Sequence, residues 1–256
     1  MVRYAYVVDL DKCVGCRACM VACKVENGTV QGAFWMYVFR FEEGEYPNVR
    51  YTFMPRPCQH CDNPPCVKVC PVGSRYKRED GLVLEDYDRC IGCRYCEVAC
   101  PYGVNYFNWH KPEDRQYYDW KNSDLEAEVG EAIPPYKNPD HDKRHGPEQV
   151  FNSGGPKRAG IVHKCTWCVH RIEKGLEPAC VAGCPVSALV FGDLDNPNSR
   201  VSRILASKRS WRLQEELGTQ PRVFYVGKQP ITHESKIISL EFIKRENSSA
   251  KVEVTA

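Results

Sequence analysis

The sequence predicts an α+β fold of short strands and helices, laid out as two related halves with a long insertion and a C-terminal tail. Three observations lead there. The sixteen cysteines fall into four groups of four. Two of those groups sit in segments that nearly copy each other at an offset of 77 residues. Between the groups, short aromatic and β-branched runs have the composition of strands, and the helical stretches among them are brief.

The elements follow in chain order. Tyr4–Asp9, rich in Val and Tyr, reads as a strand. Ala18–Asn27 reads as a short helix after the first cysteine loop. Trp35–Glu42 and Arg50–Met54 read as a strand pair, and Leu82–Glu85 as a strand leading into the third group. Thr166–Lys174 reads as a helix stopped near Gly175. Ala188–Phe191 and Val223–Val226 read as strands, and Ser199–Lys208 as a helix capped by Ser199. Residues 111–160 stand apart, with Pro134-Pro135, Pro139, Pro147, Gly154-Gly155 and many charges. A loop that long in a compact domain is functional or unstructured. A partner-contacting insertion is preferred to a flexible surface loop.

The cysteine groups carry the chemistry. They are Cys13, Cys16, Cys19 and Cys23; Cys58, Cys61, Cys66 and Cys70; Cys90, Cys93, Cys96 and Cys100; and Cys165, Cys168, Cys180 and Cys184. A Cys-x2-Cys-x2-Cys loop wraps three corners of a cubane 4Fe–4S cluster, and a cysteine three residues further on points away toward another cluster. Cys70, Cys100 and Cys184 are each followed by proline, as in bacterial ferredoxin motifs, whereas Cys23 is followed by Lys24. A disulfide framework belongs to short secreted domains. Zinc sites use separated Cys-x2-Cys knuckles, commonly with histidine. Sixteen thiolates instead match four 4Fe–4S clusters with none left over.

The internal repeat sharpens this. Asp9-Leu-Asp-Lys-Cys-Val-Gly-Cys-Arg-Ala-Cys-Met-Val-Ala-Cys23 parallels Asp86-Tyr-Asp-Arg-Cys-Ile-Gly-Cys-Arg-Tyr-Cys-Glu-Val-Ala-Cys100. Cys66-Val-Lys-Val-Cys-Pro-Val-Gly-Ser74 echoes Cys180-Val-Ala-Gly-Cys-Pro-Val-Ser-Ala188. The second and fourth groups are looser, with four residues between Cys61 and Cys66 and eleven between Cys168 and Cys180. Such insertions are tolerable because loop closure cost grows slowly with length. Two bacterial-ferredoxin-like dicluster units fused in one chain explain the pattern. Residues 1–110 with 161–192 form the four-cluster core, 111–160 the insertion, and 193–256 a C-terminal docking extension.

With these motifs, the chain resembles the four-cluster electron-transfer subunits of the molybdopterin oxidoreductase family, the small subunits of dimethyl sulfoxide, polysulfide, thiosulfate, tetrathionate and arsenate reductases. Lys164-Cys-Thr-Trp-Cys168, Gly175-Leu-Glu-Pro-Ala-Cys180 and Pro221-Arg-Val-Phe-Tyr225 also match. The resemblance implies crossed ligation: Cys13, Cys16 and Cys19 with Cys184; Cys165, Cys168 and Cys180 with Cys23; Cys58, Cys61 and Cys66 with Cys100; and Cys90, Cys93 and Cys96 with Cys70. It further implies two partners, a molybdopterin-containing catalytic subunit and an integral membrane quinone-reactive subunit. The chain itself then does no bond chemistry, and no nucleophile constellation, Walker motif or dinucleotide fingerprint stands out.

The alternatives are the β-subunit of a formate dehydrogenase or hydrogenase, a soluble polyferredoxin, and a zinc-stabilised binding module. The first is disfavoured because no C-terminal membrane helix is visible. No run of eighteen apolar residues occurs, and Lys236-Ile-Ile-Ser-Leu-Glu-Phe-Ile-Lys-Arg-Glu246 reads as a strand or docking tail. The N-terminus lacks a secretory or twin-arginine signal. The chain is therefore expected to be peripheral to a membrane within a complex. Export with a partner to the extracytoplasmic face is preferred to a cytoplasmic placement.

The formal net charge of +2, from 35 basic and 33 acidic residues, suggests no nucleic-acid partner. Four bound clusters at about −2 each would bring it to about −6. Arg17, Lys24, Arg94 and Lys164 beside the cysteines either tune the clusters or are solvated charges, and the sequence leaves both open. His60 and His170 adjoin cysteines whose ligand sets are complete, and read as supporting or packing residues. His141 and His145 could pair on a metal, but a solvated loop is preferred. The apo chain is expected to be unfolded or molten, because the clusters organise the core.

Overall fold

The structure is a computed structural model that describes residues 2–110, 143–147, 149–151, 159–228 and 236–237. Helices and strands are mixed, as α+β requires. The first stretch holds β1 (Tyr4–Asp9), α1 (Ala18–Asn27), β2 (Tyr37–Glu43), β3 (Arg50–Arg56), α2 (Pro65–Lys68), β4 (Arg75–Lys77), β5 (Val83–Glu85), α3 (Tyr95–Ala99) and β6 (Asn105–Phe107). The remainder holds β7 (Arg144–His145), β8 (Val150–Phe151), β9 (Val162–Lys164), α4 (Val169–Ile172), α5 (Ala179–Ala182), β10 (Leu189–Asp193), α6 (Arg200–Ser207), β11 (Ser210–Trp211), β12 (Val223–Val226) and β13 (Lys236–Ile237).

The main sheet runs β10-β1-β12-β11. β1 is antiparallel to β10, with Val8 opposite Leu189, and parallel to β12, with Val8 opposite Tyr225. Ala5, Tyr6, Val7 and Val8 are fully buried, so β1 is covered on both faces. Tyr6 and Val8 face the principal core with Trp35, Trp167 and several cysteines. Ala5 and Val7 face Val190, Val201 and Val226, with Val201 supplied by α6. Each such valine burial stabilises the fold by about 1.5–3 kcal/mol. β2 and β3 form a hairpin with Phe41 opposite Thr52, and β4 pairs with β5 so that Arg75 opposes Glu85. Short pairs join β6 to β9 and β7 to β8.

Several expectations shift. The strand pair starts at Tyr37 and ends at Arg56, beyond Met54, because the cross-strand ladder continues through the Val38–Pro55 and Tyr37–Arg56 pairs. The helix expected from Thr166 begins only at Val169. Trp167 and Cys168 take left-handed backbone, with φ of 53° and 54°, to curl around their site, and no right-handed helix can run through them. Ser199 caps α6 as expected, its Oγ accepting from the Ser202 amide at 3.0 Å. β12 lies beside β1, and Val223 and Tyr225 belong to the principal core. Most of the insertion, His141, and residues 229–235 and 238–256 of the C-terminal extension lie outside the described residues.

Candidate metal centres

The chain bends back at each cysteine loop because particular backbones permit it. Gly15 and Gly92 have φ of 69° and 72°. A Cβ on Gly15 would lie 2.3 Å from the Phe53 ring, and one on Gly92 would lie 2.2 Å from the Gly160 carbonyl oxygen, so the loops are packed against neighbours as well as curled. Arg17 and Arg94 then hold left-handed positions immediately before α1 and α3.

These loops bring the cysteines together in crossed sets. One cavity is lined by Cys13, Cys16, Cys19 and Cys184. A second is lined by Cys58, Cys61, Cys66 and Cys100. A third is lined by Cys70, Cys90, Cys93 and Cys96. The fourth set, Cys23, Cys165, Cys168 and Cys180, is wholly buried. Its members are linked through Asn27, whose amide nitrogen lies 3.6 Å from the sulfurs of both Cys23 and Cys168. Among the described residues no three His, Cys, Asp or Glu side chains close on one point as a mononuclear ion requires. The sulfurs surround volumes instead, which is what a multi-iron core needs.

Electrostatics agree with that fit. Burial, reinforced by neighbouring thiols, pushes Cys19, Cys61 and Cys165 up to about 12. Burial also pushes Cys96 up to about 12 and Cys66 up to about 11, with Arg75 opposing it at both. Four thiolates at such a site are stable only against compensating positive charge, which a bound metal core supplies. Donors are already aimed at sulfur. The Trp167 amide lies 3.4 Å from the Cys165 sulfur, the Ala188 amide 3.3 Å from that of Cys184, and the Tyr6 hydroxyl 3.3 Å from that of Cys180. Such hydrogen bonds stabilise anionic clusters and tune their potentials.

The four sets lie in series. Cys19 is in electrostatic reach of Cys180, Cys58 of Cys165, and Arg75 of both Cys66 and Cys96. The order is therefore the Cys13 set, the Cys23 set, the Cys58 set and the Cys70 set. Cys16 and Cys93, in the two terminal sets, are exposed. At the middle junction two aromatic residues interlock. His60, inside the Cys58–Cys61 loop, places Nε2 3.0 Å from the Cys165 carbonyl oxygen. Trp167, inside the Cys165–Cys168 loop, donates from Nε1 to the Cys58 carbonyl oxygen at 3.2 Å. Their rings stack with centroids 4.1 Å apart. Both residues occupy the third position of their Cys-x2-Cys loops with positive φ.

The flanking residues separate by burial. Lys164 is 1% exposed and donates to the Val83 and Cys165 carbonyls, so it is no solvated charge. Lys24 closes the end of α1, donating to the carbonyls of Val30 and Ala33. Arg17 is exposed, and the Arg94 guanidinium pairs with Glu97 at the surface. His170 contacts Glu26 at 2.7 Å and packs near His145. Sequence reasoning misses Asn27, Tyr6 and the Arg75–Glu85 pair. Arg75 and Glu85 leave a trace there, since they stand just beyond the quoted ends of the two echoes, Arg75 against Leu189 and Glu85 against Val8.

Two family models describing a 4Fe–4S dicluster domain match the chain, one over residues 12–74 and the other over residues 49–116 and 154–194. The chain is 42% identical over 236 residues to the arsenate respiratory reductase iron–sulfur subunit of Shewanella sp. strain ANA-3, covering 88% of this chain and 96% of that protein. It is 43% identical over 225 residues to one subunit of the selenate reductase of Mesobacillus selenatarsenatis, covering 88% and 72%. It is 38% identical over 230 residues to one subunit of the tetrathionate reductase of Salmonella typhimurium, again covering 88% and 72%.

Proposed function

The chain belongs to the four-cluster iron–sulfur subunits of the molybdopterin oxidoreductase family, and from that premise we propose that its crossed cysteine sets relay electrons between a molybdopterin catalytic subunit and a membrane quinone-reactive subunit. The protein carries four 4Fe–4S clusters and is an electron-transfer subunit. When bound, the clusters supply one-electron redox chemistry. The residues of the chain hold them in order. Cys13, Cys16, Cys19 and Cys184 would hold one terminal cluster, and Cys70, Cys90, Cys93 and Cys96 the other. Cys23, Cys165, Cys168 and Cys180, with Cys58, Cys61, Cys66 and Cys100, would hold the inner two. Trp167 and His60 exclude water from the middle junction and fix the two inner loops against each other.

The observation that carries this reading is the serial order of the sets, with an exposed cysteine at each end and none exposed in the inner two. A relay needs accessible termini and a shielded interior. No helix among the described residues is long and apolar enough to cross a membrane; we assign quinone chemistry to a separate subunit, as the family resemblance implies. We place the complex peripherally, on the extracytoplasmic face, carried there folded with a partner. The relatives at 38–43% identity serve arsenate, selenate, dimethyl sulfoxide and tetrathionate reductases. So broad a spread does not choose a substrate, whose chemistry lies in another chain.

The test is anaerobic purification of the native complex through this chain, with joint measurement of iron, molybdenum and tungsten. About sixteen irons per chain with about one molybdenum or tungsten is the expected result. Nickel as the second metal, or no partner at all, would move the assignment to a hydrogenase subunit or a free polyferredoxin. Zinc in place of iron would overturn it.

A further inference from the structure

The two terminal sets occupy matching places in the repeat, but their surroundings differ at one pair. Counting by the 77-residue offset, Val8 corresponds to Glu85; by the second echo, Leu189 corresponds to Arg75. The structure makes both correspondences physical. Val8 opposes Leu189 across β1 and β10, and Glu85 opposes Arg75 across β5 and β4. Leu189 lines the cavity of Cys13, Cys16, Cys19 and Cys184, while Arg75 and Glu85 line that of Cys70, Cys90, Cys93 and Cys96. An apolar cross-strand pair at one end is thus replaced by a buried ion pair at the other.

That replacement has a cost. Both side chains are 1% exposed, and Nη2 of Arg75 lies 2.7 Å from Oε2 of Glu85, an ion-pair contact without good hydrogen-bond alignment. Buried pairs are often no more stable than the apolar residues they replace, and the other half shows that Leu and Val suffice in this strand pair. Nη2 also reaches the Val162 carbonyl at 3.4 Å, but Nε and Nη1 are buried with no acceptor among the described residues. A guanidinium with two idle donors, in the wall of a four-cysteine cavity, is arranged for an acceptor that belongs in the cavity.

We infer that Arg75 is a positioning residue for the terminal cluster held by Cys70, Cys90, Cys93 and Cys96: its free N–H groups face that cluster's sulfur and raise its reduction potential relative to the opposite terminus. The inference rests on the four-cluster reading. Charge and N–H donation both favour the more negative, reduced cluster. Arg75 is the foremost charge acting on Cys96 and on Cys66 of the adjoining set, whereas Glu85 acts most on Cys90. Glu85 therefore anchors the guanidinium and partly opposes it. Because Arg75 also reaches Cys66, a smaller effect on the neighbouring inner cluster is expected.

The test is EPR-monitored redox titration of the native complex, with the relevant signal assigned as the one altered in Cys93→Ala. In the double variant Arg75→Leu with Glu85→Val, which copies the opposite terminus, the potential of this signal should fall and those of the Cys13 and Cys23 sets should stay. In Glu85→Gln it should rise, because the opposing charge is gone. A double variant with full iron and an unchanged or higher potential overturns the inference. Should the double variant lose the cluster, Glu85→Gln decides alone, and an unmoved potential there overturns it. Iron content separates the two levels: fewer than about sixteen irons in the unmodified chain would sink the four-cluster reading itself.

Discussion

Lys164 shows how a single residue changes meaning once it is placed. A lysine beside a cysteine reads equally well as solvent-facing or as a tuning charge. In the fold its ammonium is enclosed, donating to the carbonyls of Val83 and Cys165. It also acts on Cys66 of one inner set and on Cys165 of the other. Lys164→Met would leave the buried Val83 carbonyl without its side-chain donor, at about 1–3 kcal/mol, and leave the Cys165 carbonyl with His60 alone. The expected outcome is faster iron release from the holo protein in mild guanidinium, followed by the loss of visible absorbance, and release at the unmodified rate would contradict this account. The cysteines are legible at this scale because ligation demands fixed spacing along the chain. Lys164, Arg75, Glu85 and Asn27 are not, because their roles depend on what folds over them. Arg75 and Glu85 belong to different strands, and only their pairing turns two surface-type residues into a buried pair.

Among the elements, legibility follows length and local chemistry. α6 is readable because Ser199 provides a local cap and the helix runs for eight residues. Ser199→Ala should cost about 1 kcal/mol, and amide exchange in the first turns of α6 should quicken about fivefold. Hydrogen-exchange mass spectrometry on the holo protein would read this, while the sheet beneath, pinned by Ala5, Val7 and Val201, should hold its protection. The two- and three-residue strands β4, β6, β9 and β11 carry too few positions to show a period. The helix expected from Thr166 is shortened by Trp167 and Cys168, whose left-handed backbone serves the loop rather than the helix. Its cause is tertiary, since the indole of Trp167 is held by the Cys58 carbonyl and stacked on His60. β12 is recognisable as a strand, but its place beside β1 follows from no local signal. A parallel partner more than two hundred residues away is fixed only by the whole sheet.

The whole molecule is sewn at its cysteines. Each set joins segments far apart in sequence: Cys184 returns to Cys13, Cys165 to Cys23, Cys100 to Cys58. Six cysteines belong to the principal core itself, Cys19, Cys23, Cys58, Cys61, Cys165 and Cys180. Without iron, those seams consist of thiols facing one another across volumes that a metal core would fill, and burial opposes ionisation at Cys13, Cys23, Cys100 and Cys165. The sheet alone offers little in compensation, since most of its strands are short and β1 is its only six-residue member. Metal binding is therefore folding free energy here, as in other small metal-organised domains. Removing iron anaerobically with a chelator and mild oxidant should collapse cooperative thermal unfolding and enlarge the hydrodynamic radius, leaving at most residual secondary structure in the far-UV circular dichroism. Protease should then cut throughout the core, including β1, whose Ala5, Tyr6, Val7 and Val8 are fully buried in the fold. An apo chain that still melted cooperatively and kept β1 protected would show that the hydrophobic core, and not the clusters, holds the two halves together.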